Sequence, residues 1–348
     1  MMVIAAVCLT ACATAPAAKS GSVPNAVKDS KEPAWVANPR AVYSEAQFVS
    51  ASGYGADLDT AKKDAMGSLI AIFGQSVKGE TTVSTKYTEA VKSGKVQVSE
   101  TSDIDRAVNS SFALESVVGA EIKDTWFDGK KTYYAVAVMD KAKASLTYAN
   151  LIDTNEGTIA KLIDIPEADR TTLDAYARYD LAATVADANG RFLNALSVLS
   201  PGQAAAKRGT VSNGDTLRLQ CLKIAQAIPI GVIVAGDRDG RIAAAFASVI
   251  SGAGFKSGGQ NSRYVINASM STSEVVLKNN DNKFVRYVVD AKLTDTKTSA
   301  VLLPYNTTGR EGHSTIPEAE NRAYRAAEQK IKEDYTTVFS GYLVQLTK

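Results

Sequence analysis

Apolar residues recur at three- and four-residue intervals along Leu58, Ala61, Ala65, Leu69 and Ile72, the spacing that buries one face of a helix. Just before them, Gln47 to Gly53 alternates apolar and small polar positions and reads as a strand. Gly53 and Gly55 stand between the two segments, and the pattern predicts that they form a tight strand-to-helix turn. Asp57 or Asp59 is expected to cap the helix, where a carboxylate suits the free N–H groups and the positive helix end. Upstream, Trp35 between Pro33 and Pro39 predicts an extended lead-in with a buried indole. Downstream, "ALESVVGAEIKDTWF" and "TYYAVAVMD" alternate on either side of "DGKK". Asp128 and Gly129 therefore predict a hairpin turn. "KAKASLTYANLI" returns to a helical pattern. Between these elements, residues 78–111 are rich in Ser, Thr, Lys and Glu and predict irregular strands or a mobile excursion.

Residues 155–227 change character. Leu173, Tyr176, Leu181 and Val185, then Phe192, Leu193, Leu196 and Leu199, fall at helical spacing. Asn189-Gly190 is expected to break or kink that helix. "SPGQAAAKRGTVSNGD" reads as a loop, and a second helix is predicted from about Thr216 to Ala227. In the final third, "IPIGVIVAG" predicts a strand and "RIAAAFASVISGAGF" a helix ending at Gly252 or Gly254. "RYVINASMS", "KFVRYVVDAKLTD" and "TKTSAVLLPYNTTG" predict consecutive strands, which favours antiparallel pairing over a doubly wound parallel sheet. The chain then closes on a long helix with Ala319, Ala323, Ala327 and Ile331 on one side. That helix and the Ala61/Ala65/Leu69 helix both follow glycines and both carry small residues every four positions, so a shared packing mode is expected. The fold class is α+β: two small mixed, mainly antiparallel sheet-plus-helix domains separated by a helical spacer.

The N-terminus changes the picture. "MMVIAAVCLTAC" holds no charge and ends Leu9-Thr10-Ala11-Cys12, which resembles a bacterial lipobox. Cys12 is the expected lipidation site, its thiol taking a diacylglyceryl group before it becomes the mature N-terminus with acyl chains such as palmitate. The positive segment that ordinarily precedes such a stretch is missing, and the start of translation is expected upstream. "ATAPAAKSGSVPNAVKDSKE" lacks periodicity and predicts a flexible tether. A multiply acylated cysteine holds a protein on a bilayer, since each buried methylene contributes about 0.8 kcal/mol. The expected organisation is signal 1–12, tether 13–32, a first α+β domain 33–152, a helical spacer 153–228 and a second α+β domain 229–348. Ala13 rather than Asp after the cysteine favours the outer membrane, facing the periplasm or the cell surface.

Charge and chemistry narrow the function classes. A net charge of +2 over 348 residues, with no basic stripe, gives no footprint for nucleic acid. No run approaches the ~20 apolar residues of a spanning helix. Gly53-Tyr54-Gly55 lacks the third glycine of a dinucleotide fingerprint, because Leu58 stands there. His313 is the single histidine and Cys221 the single cysteine after Cys12. That removes multi-His and mixed Cys/His zinc sites. Cys221 is expected as a buried inert thiol, and His313 as a surface or capping residue. Asp237 and Asp239 in "GDRDGR" lack the later acids of a calcium loop, and Asp239 is expected to cap a helix. No catalytic residue, metal or cofactor is assigned.

"PAWV", "SGYGADLDTAKKDAMGSL" and "WFDGKKTYYAVAVMDKAKA" together resemble, in their order, the LPP-twenty lipoprotein family, to which the amino-terminal domain of flagellar assembly protein T is related. The resemblance covers about residues 32–150 and implies an envelope-anchored α+β domain without catalytic residues. Residues 229–306 are more weakly similar to domains of periplasmic assembly factors, on a helix ending in "GF" and the run "YVVDAKLTDTKTSAVL". Such domains bind proteins or form rings. The expected role is a non-enzymatic scaffold or assembly factor, held on the membrane by its lipid and bound to unidentified envelope proteins, with self-association left open. The alternatives are a flagellar or secretion-ring subunit and an enzyme acting on cell wall or glycan.

Overall fold

A computed structural model describes residues 31–77, 85–96, 118–278 and 280–346. The first unit opens with a short helix α1 (Ala34–Ala37), strand β1 (Phe48–Gly55) and helix α2 (Leu58–Ser76). Helix α3 (Thr85–Lys92) and the hairpin β2 (Ala120–Phe127) and β3 (Tyr133–Asp140) follow. The strands form an antiparallel sheet in the order β1-β3-β2. Part of the segment expected to be irregular is thus helical: α3 buries Tyr87, Thr88 and Ala90. Residues 78–84 and 97–111 lie outside the described residues.

Gly53 and Gly55 do not form a turn. Both sit inside β1, paired with Ala135 and Tyr133 of β3. Their reason is proximity: a methyl on Gly53 would lie 2.6 Å from Ala65 Cα, and one on Gly55 would lie 2.7 Å from the Ala61 amide nitrogen. The backbone of α2 rests directly on the strand. Asp57 is the cap, its Oδ1 accepting from Thr60 N–H at 2.8 Å. Ala61, Ala65, Leu69 and Phe73 form the buried stripe of α2. The other face of the sheet is covered by Trp35, whose indole is buried against Val136 and Val138 and donates from Nε1 to Asp124 Oδ2 at 3.0 Å.

Asp140 ends β3 and caps α4 (Lys141–Ile163), accepting from the amides of Ala142 and Lys143. This helix runs through the expected domain boundary at 152. Helices α5 (Leu173–Leu199), α6 (Pro201–Arg208) and α7 (Gly214–Ala227) follow. Helix α6 occupies part of the expected loop, started by Pro201 at a position that needs no N–H. The break expected at Asn189-Gly190 is absent, and α5 is continuous. Asn189 is fully buried and finds polar partners off its own helix. Its Oδ1 accepts from Asn155 Nδ2 at 2.7 Å, and its Nδ2 donates to Glu156 Oε1 at 2.7 Å and to Ile152 O at 3.2 Å. A side chain so satisfied has no cause to compete with its own backbone.

The second unit is built from β4 (Pro229–Ala235), α8 (Arg241–Gly252), β5 (Lys256–Gly258), β6 (Tyr264–Val275), β7 (Lys283–Asp295) and β8 (Ala300–His313). It closes with α9 (Ile316–Lys330), a π-helical turn at Ile331–Tyr335 and α10 (Thr336–Gln345). The sheet order is β5-β4-β6-β7-β8. Strand β4 is parallel to both neighbours because α8 supplies the crossover, and the other pairs are antiparallel. The fold is α+β, with sheets that are mainly antiparallel.

Ala319, Ala323, Ala327 and Ile331 are fully buried on the sheet, as are Ala61, Ala65 and Leu69 in the first unit. The preceding glycines, however, do different work. Gly309 and Gly312 lie opposite Tyr287 and Phe284 in the β7–β8 ladder, and a methyl on either would meet the facing ring at 2.5 Å. Here an aromatic ring from the neighbouring strand fills the glycine position; in the first unit the helix backbone does.

The helical segment belongs to both cores. Leu181, Val185, Phe192, Leu196 and Leu217 pack with the first sheet's α2 and α4, whereas Leu173 and Ala225 pack with Ile230, Phe246 and Phe339 of the second. The helical segment thus links the two sheets by contributing separate side chains to each core.

Candidate functional site

The residues singled out in sequence do not converge. Cys12 lies outside the described residues. Asp128 and Gly129 connect β2 to β3: Asp128 Oδ1 accepts from the amides of Lys130, Lys131 and Thr132 at 2.8, 2.9 and 3.0 Å, and Gly129 takes φ +75°. These backbone donors hold the Asp128 carboxyl below its ordinary pKa, Thr132 N–H foremost. His313 ends β8, its Nδ1 within 3.3 Å of Ser314 Oγ and 3.4 Å of the Thr315 amide, next to the start of α9.

Cys221 is buried in α7 and donates to the Tyr176 carbonyl at 3.5 Å. Burial pushes the thiol up to about 12, so it stays protonated at neutral pH. In "GDRDGR" it is Asp237, not Asp239, that serves α8: its two oxygens accept from Ile242 N–H at 3.1 Å and Ala243 N–H at 2.9 Å. Asp239 is displaced because the chain passes through left-handed conformations at Asp239 and Gly240. Among the described residues, no group of three or more His, Cys, Asp or Glu side chains is placed to hold a metal ion.

The polar cluster that does form lies where the helical segment meets the second sheet. Arg263 donates from Nη2 and Nε to Asp295 Oδ2 at 2.9 and 3.1 Å, and its guanidinium lies 5.2 Å from the ring centre of Tyr264. Tyr264 OH accepts from Leu173 N–H, the first residue of α5, at 3.3 Å. Arg178 in turn donates to the carbonyls of Lys161 and Asp164 at 2.6 and 3.1 Å, closing the C-terminal end of α4. A cleft of about 290 Å³ runs between these residues and Tyr342. Arg263 and Asp295 are committed to each other and Arg178 to a helix end, which makes this a structural joint. Sequence spacing could not reveal it, because its partners are far apart along the chain.

One surface open to other molecules belongs to the second sheet. Helices α8 and α9 pack on one face only, through Ile242, Phe246, Ala319 and Ala323. On the opposite face Asn267, Ser269, Asp290, Lys292, Pro304 and Asn306 line a shallow hollow of about 510 Å³. This face ends at β8, a strand of 14 residues at the edge of the sheet. An edge strand offers backbone N–H and C=O groups to an incoming strand. Alternation in "YVINASMSTS" and "RYVVDAKLTD" was the signal in sequence for a sheet polar on one face.

Residues 33–140 match the LPP20 lipoprotein family. The matched segment takes in α1, the first sheet, α2 and α3, and stops where β3 hands over to α4 at Asp140. No protein of curated function matches the chain. Among solved structures, a candidate lipoprotein from Caulobacter crescentus CB15 is 20% identical, covering 32% of this chain and 90% of its own, with a TM-score of 0.25. A minor lipoprotein from Acinetobacter baumannii is 11% identical, covering 34% and 94%, with a TM-score of 0.28. The secreted protein HP1454 from Helicobacter pylori is 11% identical over 82% of this chain and 97% of its own, with a TM-score of 0.41. At these scores the likenesses carry no argument beyond the LPP20 match.

Proposed function

We propose that the protein is an envelope lipoprotein, anchored through Cys12 to the outer membrane, that acts as a non-enzymatic scaffold by binding other envelope proteins. The LPP20 match supports the lipoprotein part of this reading. The observation that carries the scaffold part is the second sheet: one face packed by helices, the other open and polar, and a long edge strand, β8, bordering it. A strand added to that edge gains main-chain hydrogen bonds, while the open face supplies side-chain contacts for specificity. The helical segment meets this sheet at Tyr264 and Leu173 and packs with the first unit through Leu181, Val185 and Phe192, so a partner docked on β8 is held at a defined place relative to the region that matches LPP20.

The test is crosslinking in native cells from a photoreactive residue placed at Asn306, followed by purification from the envelope. The reading expects a discrete envelope protein captured at Asn306 and not from a probe at Lys62 on α2. Equal capture from both sites, or turnover of cell-wall polymer by the purified chain, would overturn it.

A further inference from the structure

One end of the first sheet carries a feature that protein binding at β8 does not use. Tyr54 of β1, Tyr134 of β3 and Trp126 of β2 occupy one cross-strand row, with Tyr54 opposite Tyr134 and Tyr134 opposite Trp126. The Trp126 and Tyr134 rings lie 5.4 Å apart, and Tyr54 is 68% exposed. The row sits beside the hairpin tip, where Lys130 and Lys131 are exposed.

We propose that this end of the first sheet rests on an anionic phospholipid surface. Tyrosine and tryptophan combine an apolar ring with a polar group and suit the headgroup layer, where one end of the side chain is wet and the other is not. Lysines beside them add attraction to anionic headgroups, about 1 kcal/mol for each near the surface. Four nearby carboxylates, those of Asp57, Asp64, Asp124 and Asp128, accept hydrogen bonds from the fold. Asp128 turns inward to three backbone amides, Asp57 accepts from Thr60, and Asp64 Oδ2 accepts from the Tyr54 amide at 3.0 Å. Asp59, in the first turn of α2, stays on the surface.

The course of the chain selects the occupant. The described structure begins at Lys31, and the first helix it enters places Trp35 on this same face, packed with Trp126 and Tyr134. Both tryptophans of the protein are therefore on the face by which the chain arrives from its N-terminal segment. Under the reading above, which this inference extends, the 18 residues between Cys12 and Lys31 let the chain reach roughly 65 Å at full extension. The sheet end is then within reach of the bilayer that holds the lipid.

The test uses the mature chain, residues 12–348, carrying Cys12→Ser, so that neither the apolar signal, nor an acyl group, nor a protein partner contributes. Vesicles of phosphatidylethanolamine with phosphatidylglycerol are compared with phosphatidylcholine alone by co-sedimentation and tryptophan emission. Binding is expected on the anionic vesicles only, weakening with salt and shifting the emission to shorter wavelength. Lys130→Glu/Lys131→Glu is expected to weaken it roughly tenfold or more. Tyr54→Ser, at an exposed position, is expected to weaken it severalfold without changing the melting temperature. No vesicle binding, binding unchanged in both variants, or binding to isolated peptidoglycan in place of vesicles would overturn the inference. Because the lipidation site is removed and no partner is present, failure here leaves the lipoprotein and scaffold readings standing.

Discussion

A β-carbon on Gly53 would come within 2.6 Å of the Ala65 Cα, so strand β1 and helix α2 meet at a separation that only glycine permits. Gly53→Ala is therefore expected to destabilise the fold by about 3 kcal/mol, at the upper end of the cost of overpacking, since the obstacle is backbone and cannot rotate away. Gly129→Ala is the control: nothing lies within 4 Å of its added methyl, and its cost is the left-handed φ of +75° alone, about 1 kcal/mol. Chemical denaturation of both variants checks the ranking. Equal losses would contradict the close-approach role of Gly53.

Asn189 and Asn155 tie α5 to α4 in the interior. Asn189→Ala leaves Asn155 and Glu156 without one partner each and should cost about 3 kcal/mol. Asn189→Leu keeps the volume yet strands the same groups, and is expected to be no better. Equilibrium unfolding monitored at Trp35 and Trp126 measures both. A stabilised Leu variant would contradict the network's role.

The Arg263–Asp295 pair predicts a pH dependence with a definite sign. Burial raises the pKa of Asp295, but the hydrogen bonds from Arg263 and Lys297 N–H outweigh it and hold the carboxyl below its ordinary range. A depressed folded-state pKa contributes stability above the unfolded-state value, lost as pH falls through the folded one. Asp295→Asn should therefore lower stability by about 2 kcal/mol at neutral pH, with the gap to the parent closing below about pH 4. Melting curves across that range check it. A gap that widens in acid would contradict the pairing.

Cys221 should resist thiol reagents in the native protein, since burial both shields it and pushes its pKa to about 12. In a Cys8→Ser/Cys12→Ser chain, reaction with a chromogenic disulfide at neutral pH is expected only after denaturant is added. Rapid labelling of the native form would show α7 opening freely from α5.

What could be read in the sequence was local. Ala61, Ala65 and Leu69 lie on one face because three- and four-residue spacing has no other meaning in a helix, and Asp128-Gly129 carries its own turn chemistry. The buried indole of Trp35 followed from an apolar ring flanked by prolines. What escaped depended on partners distant along the chain. Asn189-Gly190 resembles a breaker until Asn155 and Glu156 of α4 are seen to satisfy the amide. Gly53 resembles a turn glycine until Ala65 is placed over it. Asp239 resembles a cap until its own left-handed φ sends the duty to Asp237. The parallel pairing of β4 was equally hidden, because a strand's pattern does not state its neighbour's direction.

The most direct test of the anchored-scaffold account is mass spectrometry of the mature N-terminal peptide taken from native envelopes. The account predicts a chain that begins at Cys12, carries a thioether-linked diacylglyceryl group and an acyl chain on its amino group, and partitions with the membrane. An unmodified Cys12 within a longer peptide recovered from the cytosolic fraction would contradict it.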